Sequence, residues 1–340
     1  MNSDLNVMYS KRAESGFTLI ELMIAVALML LVSFAVINVY LTTRSTTKAQ
    51  TAVARMNENW QTNSENIARE FRELSFMGCV PVGTNLDSNG DSTIKSHQLR
   101  NGSTRNYSAA QVNVVSVLKQ VGASDPDVPS NAIAGNAIIS VSHAANDGAH
   151  LLTAMPDRGG SGIRFKSNPH ITTPPSGVLA VISDCRSGEI FKVAGASSNP
   201  TAATNWKIAP LSDLIVQYGE DARVAPLTVS QFYLAPSDRV AGERSTTALY
   251  RRTLNVDGVS WNSATQIARD VTSMQITAAV DGGGYVPDPI NVAWSAGLVL
   301  EKVMGINLTF VMQGPPDARA NGAVLTRTFT TYISARARAL

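Results

Sequence analysis

Charge is scarce in this chain. Asp, Glu, Lys and Arg make up 16% of its 340 residues, against about 25% in an ordinary soluble domain. The formal net charge is only +2, and the sequence holds no long basic run and no basic helix with interleaved aromatics. That excludes strong electrostatic attraction to nucleic acid, so no direct nucleic-acid binding is expected. Cysteine is scarcer still. Cys79 and Cys185 are the only two, too few for an all-thiolate structural zinc site, and neither belongs to a C-x-x-C pair. His143 and His150 bracket Asp147, but a zinc site needs three or four ligands in a defined geometry. The two histidines are expected to flank a hairpin turn at Asn146-Asp147-Gly148, and no metal site is expected there.

Catalytic signatures are missing too. Ser-x-x-Lys occurs at Ser45 and Lys48, at Ser92 and Lys95, and at Ser116 and Lys119; three unrelated placements mark a chance pattern. Gly159-Gly160-Ser161-Gly162 is a flexible turn without the G-x-S-x-G spacing of a nucleophile elbow. No Walker A and no G-x-G-x-x-G follows a strand-like run. The chain is expected to be neither an enzyme nor a cofactor carrier. Asp87-x-Asn89-x-Asp91 matches only the start of a calcium loop. An EF-hand needs Gly at position 6 and Glu at position 12, where this chain has Ser92 and Gln98. The segment reads as a solvated turn, with Asp87, Asn89 and Asp91 kept as a weak calcium candidate.

What the chain does have is one long apolar run. Between Leu22 and Leu41 there is no charge, and Ser33 and Asn38 are the only clearly polar members. About 20 apolar residues suffice to cross a bilayer as a helix. The run exceeds the roughly 7–15 residues of a signal-peptide core. Ala25-Val26-Ala27 sits in its middle, where a small-residue cut site does not belong. One carboxylate, Glu21, stands at its start. An acidic group in a span disfavours insertion by roughly 2.5–3.5 kcal/mol at the bilayer centre and by less near an edge, so Glu21 is a functional candidate. Its simplest role is to offset its own helix N-terminus, a gain of a few tenths to about 1 kcal/mol. Flanking charge does not orient the segment. Lys11 and Arg12 precede it while Arg44 and Lys48 follow, so the positive-inside count is nearly balanced.

The stretch Gly16-Phe17-Thr18-Leu19-Ile20-Glu21-Leu22 resembles the signature of type IV prepilins and of the related type II secretion pseudopilins. As a motif the resemblance covers about the first 40 residues. It implies a leader, 1–16, with Lys11 and Arg12 on the cytoplasmic side. It further implies cleavage by a prepilin peptidase between Gly16 and Phe17, and N-methylation of Phe17. The mature chain would hold 324 residues (340 − 16). Cleavage creates an α-amine at Phe17 that is mostly cationic at pH 7. The resemblance assigns Glu21 to pairing with that amine on a neighbouring subunit, which offsets the desolvation each charge suffers in a low-dielectric bundle. An exported domain meets oxidising conditions, in which a bond between Cys79 and Cys185 is allowed. It would close a loop of 106 residues (185 − 79), stabilising by at most about 4–5 kcal/mol in the loop-entropy account. Two buried free thiols are the alternative.

The first helix is not expected to end at the membrane. Beyond the polar spacer 42–48, Val53, Met56, Trp60, Ile67, Phe71 and Leu74 recur at steps of three, four and seven, a helical stripe. Arg55, Glu58, Glu65, Arg69, Glu70 and Arg72 lie largely between them, on more exposed faces. Gly78 and Pro81 mark the stop. One helix over 18–77 would span about 90 Å, and its second half needs an apolar partner, most simply a sheet. Residues 80–110 read as irregular. Strand-like runs follow at 112–118, 137–142, 178–183, 189–193, 227–234, 248–254, 275–280, 305–312 and 325–333. Pro- and Gly-bearing loops separate them at 123–136, 156–162, 168–177, 195–204 and 281–289, and 293–303 reads as a short helix. The expected fold is α+β and pilin-like: a long N-terminal helix packed on an antiparallel β-sheet with large loop insertions. Its parts are the leader 1–16, a transmembrane and filament-core helix 17–41, an amphipathic second half 42–78, and a periplasmic β-rich domain 79–340.

Fragments of the C-terminal part are similar, in shared order, to the PilW-type minor pilins. They are Ser183-Asp184-Cys185, Glu189-Ile190-Phe191, Leu249-Tyr250-Arg251-Arg252, Asp270-Val271 before Met274-Gln275-Ile276, and Arg327-Thr328-Phe329-Thr330-Thr331. The stretch 287–303 departs from that pattern. This resemblance implies a structural assembly protein. It would insert in the bacterial inner membrane with its C-terminal domain in the periplasm, then be drawn into a pilus at the cell surface. The implied partners are other minor pilins, the major pilin and, as a further candidate, a tip adhesin; with them it would prime or cap filament growth. Within the family the alternative is the J-type pseudopilin of a type II secretion system. A membrane-tethered receptor or enzyme domain would instead show a compact pocket with convergent polar groups. Tyr250-Arg251-Arg252 reads as a strand with one Arg outward and the other packed along its stem, a partner contact being the other reading.

Overall fold

A computed structural model of the chain describes residues 18–73, 76–78, 94–95, 116–119, 128–145, 148–166, 177–198, 205–211, 213–238, 246–255, 260–280, 284–287, 303–316, 318–320 and 323–334. α1 (Leu19–Arg72) is a single helix of 54 residues, about 81 Å long at 1.5 Å per residue. Neither Gly nor Pro interrupts it. The Thr-rich spacer stays helical because its hydroxyls turn back on the backbone. Thr42, Thr46, Thr47 and Thr51 each donate to the carbonyl four residues earlier at 2.9–3.0 Å.

The two halves of α1 differ in what surrounds them. Large apolar side chains from Leu19 to Leu41 stand exposed, clear of the rest of the fold. In the second half Ala52, Met56, Ile67, Ala68 and Phe71 are buried, with Val53 and Trp60 packed beside them. Burying Met56, Ile67 and Phe71 contributes roughly 5–9 kcal/mol gross, at about 1.5–3 kcal/mol each. Leu74 lies outside the described residues. The helix stops at Arg72, short of the expected 77, because tertiary pairing overrides the helical pattern. Glu73 caps the helix, and the Phe76 carbonyl accepts from the Ala144 amide at 2.6 Å, which draws 76–78 alongside a strand. Gly78 has φ +92°, and a Cβ there would collide with Ser183 Oγ, so the position demands glycine.

Strands follow in chain order: β1 (Ile94–Lys95), β2 (Ser116–Lys119), β3 (Ala137–Ala144) and β4 (Ala149–His150). Next come β5 (Ile163–Lys166), β6 (Leu179–Ser183), β7 (Gly188–Ser198), β8 (Asn205–Pro210) and β9 (Arg223–Pro236). β10 (Thr247–Thr253), β11 (Thr265–Arg269), β12 (Val271–Val280) and β13 (Gly284–Pro287) precede β14 (Val303–Gln313), β15 (Arg319–Ala320), β16 (Ala323–Val324) and β17 (Thr326–Ser334). Every expected strand has a counterpart. β7 and β13 enter stretches expected to be loops, at 195–204 and 281–289, because neighbouring strands supply ladder partners there. The helix expected at 293–303 lies outside the described residues except for Val303, which opens β14.

β13, β12, β14 and β17 form an antiparallel sheet in that order. Period-two alternation puts Met274, Ile276, Leu308, Phe310, Phe329 and Ile333 on the face toward α1. Met274, Phe310 and Phe329 stand side by side across three strands. Trp60 stacks on Phe329 at 5.1 Å and tilts against Phe310 at 5.4 Å, an aromatic cluster that fixes the helix on the sheet.

β9 organises the remainder. One edge carries β10 along 230–236 and β6 along 223–226; the other carries β3 along 227–232 and β4 along 223–224. Phe232 and Leu234 face α1, with Phe71 5.5 Å from Phe232. Tyr233 and Ala235 form a smaller core on the opposite face with Ile138, Ala248 and Tyr250. The N-terminal end of β9 belongs to a closed circuit. β4, β9, β6, β7, β8 and β5 pair in sequence. A bridge from Phe165 to Leu151 then joins β5 back to the end of β4. Leu151, Ile163, Phe165, Ile182, Phe191 and Ile208 fill this barrel, as small barrels require. Among the described residues, no α1 side chain belongs to the barrel core.

The hairpin expected at 146–148 is not formed. β3 and β4 both run antiparallel to β9, with Ala144 opposite Leu227 and Ala149 opposite Val224. They are one strand line with an interruption. The Ala145 amide donates to the Pro226 carbonyl at 2.9 Å, so β9 holds both segments where a hairpin would fold back. His143 is buried and His150 is exposed.

Candidate functional site

Thr18 is the N-cap of α1, with an extended backbone at φ −75°, ψ 149°. The Glu21 amide donates to its hydroxyl at 3.3 Å. The Glu21 carboxylate turns back to accept from the Thr18 amide and hydroxyl, both at 3.0 Å. This reciprocal box satisfies donors that a helix start otherwise leaves open. In this geometry Glu21 serves its own helix. Both bonds fall on Oε2, so Oε1 retains acceptor capacity for a cation. Gly16 and Phe17 lie outside the described residues.

Cys185 is exposed in the turn between β6 and β7. Asp184 shapes that turn, its Oδ1 accepting from the amides of Arg186 and Ser187 at 2.7 and 2.6 Å. Among the described residues no cysteine is free. Cys79 lies outside them, but its neighbour Gly78 packs against Ser183, two residues before Cys185. Asp87, Asn89, Asp91 and Asp147 also lie outside the described residues.

The Tyr250-Arg251-Arg252 run alternates across β10. Arg251 pairs with Glu70 of α1 and donates to Ser230 Oγ at 3.2 Å. Arg252 takes the opposite face, where Nε donates to Gln231 Oε1 at 2.7 Å and the guanidinium lies 4.4 Å over Trp261. Tyr250 is buried, its hydroxyl donating to the Pro236 carbonyl at 3.0 Å. Both guanidinium groups are engaged within the chain, so the run ties sheet to helix.

The family model for the prokaryotic N-terminal methylation motif matches residues 11–37, the segment that holds Gly16, Phe17 and the capped Glu21. The motif supports a type IV pilin- or pseudopilin-type protein. A motif of this kind implies prepilin peptidase processing and pilin-to-pilin assembly in general. The α+β architecture is pilin-like as well, and the exposed apolar half of α1 is consistent with a single-pass inner-membrane anchor. No curated protein matches this chain.

Two acidic residues hold more structure than their sequence positions suggest. Glu70 reads as a surface residue, yet it anchors Arg251. Glu189 is wholly buried in the barrel. Its carboxylate accepts from the Ile215 and Val216 amides, both at 2.7 Å, and from the Tyr218 hydroxyl at 3.3 Å. Burial first, then the nearby Glu189 charge, push the Tyr218 phenol far above its usual range. Strand parity was the available signal, since Glu189 shares a face with Phe191 and Val193. His143 is likewise structural, with Nδ1 3.5 Å from Glu73 Oε2 and 3.1 Å from the Ala144 carbonyl.

Proposed function

We propose that this chain is a minor pilin of the PilW type that primes or caps a type IV pilus with other minor pilins and the major pilin. The observation that carries this reading is the division of α1. One half is an exposed apolar rod headed by Glu21, and the other is clamped onto a sheet. Leader 1–16 is removed, and Phe17 becomes an N-methylated, cationic terminus. On assembly Glu21 pairs, through the Oε1 that its Thr18 cap leaves open, with that terminus on a neighbouring subunit. An ion pair between two full charges then forms, and helix packing replaces lipid contact. The β-rich domain lies in the periplasm before assembly and gives the subunit its outline. The chain acts by templating and performs no bond chemistry. A Cys79–Cys185 bond, supported by the approach of Gly78 to Ser183, ties the segment after the helix to the β6–β7 turn.

The test is gentle detergent extraction of the full-length chain, with N-terminal sequencing and identification of co-purifying proteins. Recovery of other minor pilins by the wild type, and of far fewer by a normally processed Glu21→Ala variant, supports the reading. Recovery of no pilin overturns it, as does an intact Met1 or a terminus far from Phe17. Recovery of secretion pseudopilins in place of pilus subunits moves the chain to a type II secretion system.

A further inference from the structure

The sheet of β13, β12, β14 and β17 turns one face to α1 and the other outward. Alternation puts Gln275, Thr309 and Thr330 in one row across that outer face, directly opposite one another on three strands. Thr277, Asn307 and Tyr332 form the next row, roughly 7 Å along the strands. Among the described side chains, no outward position of β12, β14 or β17 is charged. The Thr309 and Thr330 hydroxyls share a bond of 3.2 Å. It spends one of their two hydrogens and leaves the other, with spare lone pairs, for a ligand. Gln275 is exposed beside them, and its amide supplies both a donor and an acceptor.

Tyr332 is set apart from the other rings. Among the described residues outside the apolar run of α1, Leu211 and Tyr332 are the only large apolar side chains left exposed, at 49% and 50%. The Tyr332 ring is supported all the same. It lies against Gly305 of the neighbouring strand, where a Cβ would stand 2.6 Å from the phenol oxygen and 2.7 Å from the ring. Glycine inside a strand weakens it and marks a close approach; at Gly305 it lets the ring lie along the sheet with its far side open. We propose that this outer face binds a neutral glycan. The Tyr332 ring takes the C–H face of one sugar, and Gln275, Asn307, Thr309 and Thr330 take the hydroxyls around it. Sugar hydroxyls both donate and accept, as these side chains do, and they ask for no counter-charge. A charged ligand finds no complement on this face, and a protein partner asks for a broader apolar centre. The sheet stands between this face and α1, so association through the rod does not draw on it. The proposal goes beyond the assembly role and stands whichever filament the chain joins.

The experiment takes the full-length chain in a detergent without a sugar headgroup. It is applied to arrayed neutral hexose and N-acetylhexosamine oligosaccharides, with sialylated and sulfated glycans alongside, and the bound ones are titrated free in solution. Binding is expected for neutral glycans. Tyr332→Ala should weaken it by about tenfold, whereas Tyr332→Phe, which keeps the ring, should weaken it by less than about threefold. Thr309→Val with Thr330→Val keeps the shape of both side chains and removes their hydroxyls. It should weaken binding by about tenfold, and it keeps the proposal testable should Tyr332→Ala disturb the fold. Leu211→Ala, which removes an equally exposed apolar side chain just after β8, should leave binding unchanged. A folded chain that binds no neutral glycan overturns the proposal, as does tighter binding of the charged glycans. An equal loss on Leu211→Ala overturns it too. So does self-association that Tyr332→Ala abolishes with no glycan bound, which makes the face a contact between copies.

Discussion

Breaking the Glu70–Arg251 pair should cost far more than replacing it. The side chains are 16% and 37% exposed, between a surface pair worth about 0–1 kcal/mol and a buried pair whose disruption costs about 3–5 kcal/mol. Glu70→Ala leaves the Arg251 guanidinium half-buried against the helix and is expected to cost about 2 kcal/mol. Arg251→Ala also loses the bond to Ser230 Oγ and should cost about 2–3 kcal/mol. The pair is imperfectly satisfied, since Glu70 Oε2 and Arg251 Nε are buried without a partner among the described residues. Glu70→Leu with Arg251→Met removes both orphaned atoms and keeps the packing, so it should stay within about 1 kcal/mol of wild type. For a chain of this size 1 kcal/mol moves Tm by about 2 °C. The single truncations should therefore melt about 4–6 °C lower, and the double replacement within about 2 °C of wild type. Thermal melts of the full-length chain in mild detergent give the numbers. Should the double replacement lose as much as the two truncations added together, the pair is not a coupled unit and the reasoning fails.

Phe71→Ala should destabilise by about 3–5 kcal/mol in denaturant titrations, because a fully buried ring is removed, whereas Phe71→Leu should lose about 1 kcal/mol. Glu189→Gln keeps one acceptor but sets an amide donor against a backbone N–H. It should cost about 2 kcal/mol and speed hydrogen exchange at Ile215 and Val216 before other barrel amides. The Tyr218 phenol is held above its unfolded value of 10.0. The unfolded chain therefore releases that proton first as pH rises, so the Tyr218 contribution to stability is full below pH 10.0 and falls above it. Alkaline melts should show that loss in wild type and less of it in Tyr218→Phe. Cys185→Ser should abolish any Cys79–Cys185 peptide in non-reduced mass spectra and lower stability by up to about 4–5 kcal/mol.

Local signals were strong enough to read most of this fold. The stripe through Met56, Ile67 and Phe71 lies on the buried face, and alternation in β14 and β17 marks the positions that meet it. Residues whose environment is set by distant pairing were not legible. The short strands β5 and β8 exist because each has the other as partner, and runs of four and six residues are too brief to announce that. The turn signal at 146–148 was outweighed by ladder bonds to β9. Phe76 likewise left the helical pattern to pair with Ala144. At the helix start the Thr18–Glu21 spacing is a capping box visible in the sequence, whereas any second use of Glu21 depends on another molecule.

The sharing of β9 between the sheeted half and the barrel has a mechanical consequence. Tension along the rod would enter through Trp60 and Met56 on the four-stranded sheet and through Phe71 on β9. The barrel joins that half through β9 and also through Met77, just beyond the helix, which is buried against Leu179, Val181 and Ile190. A pull on the helix would therefore reach the barrel by two routes, the common strand and the segment that follows the helix.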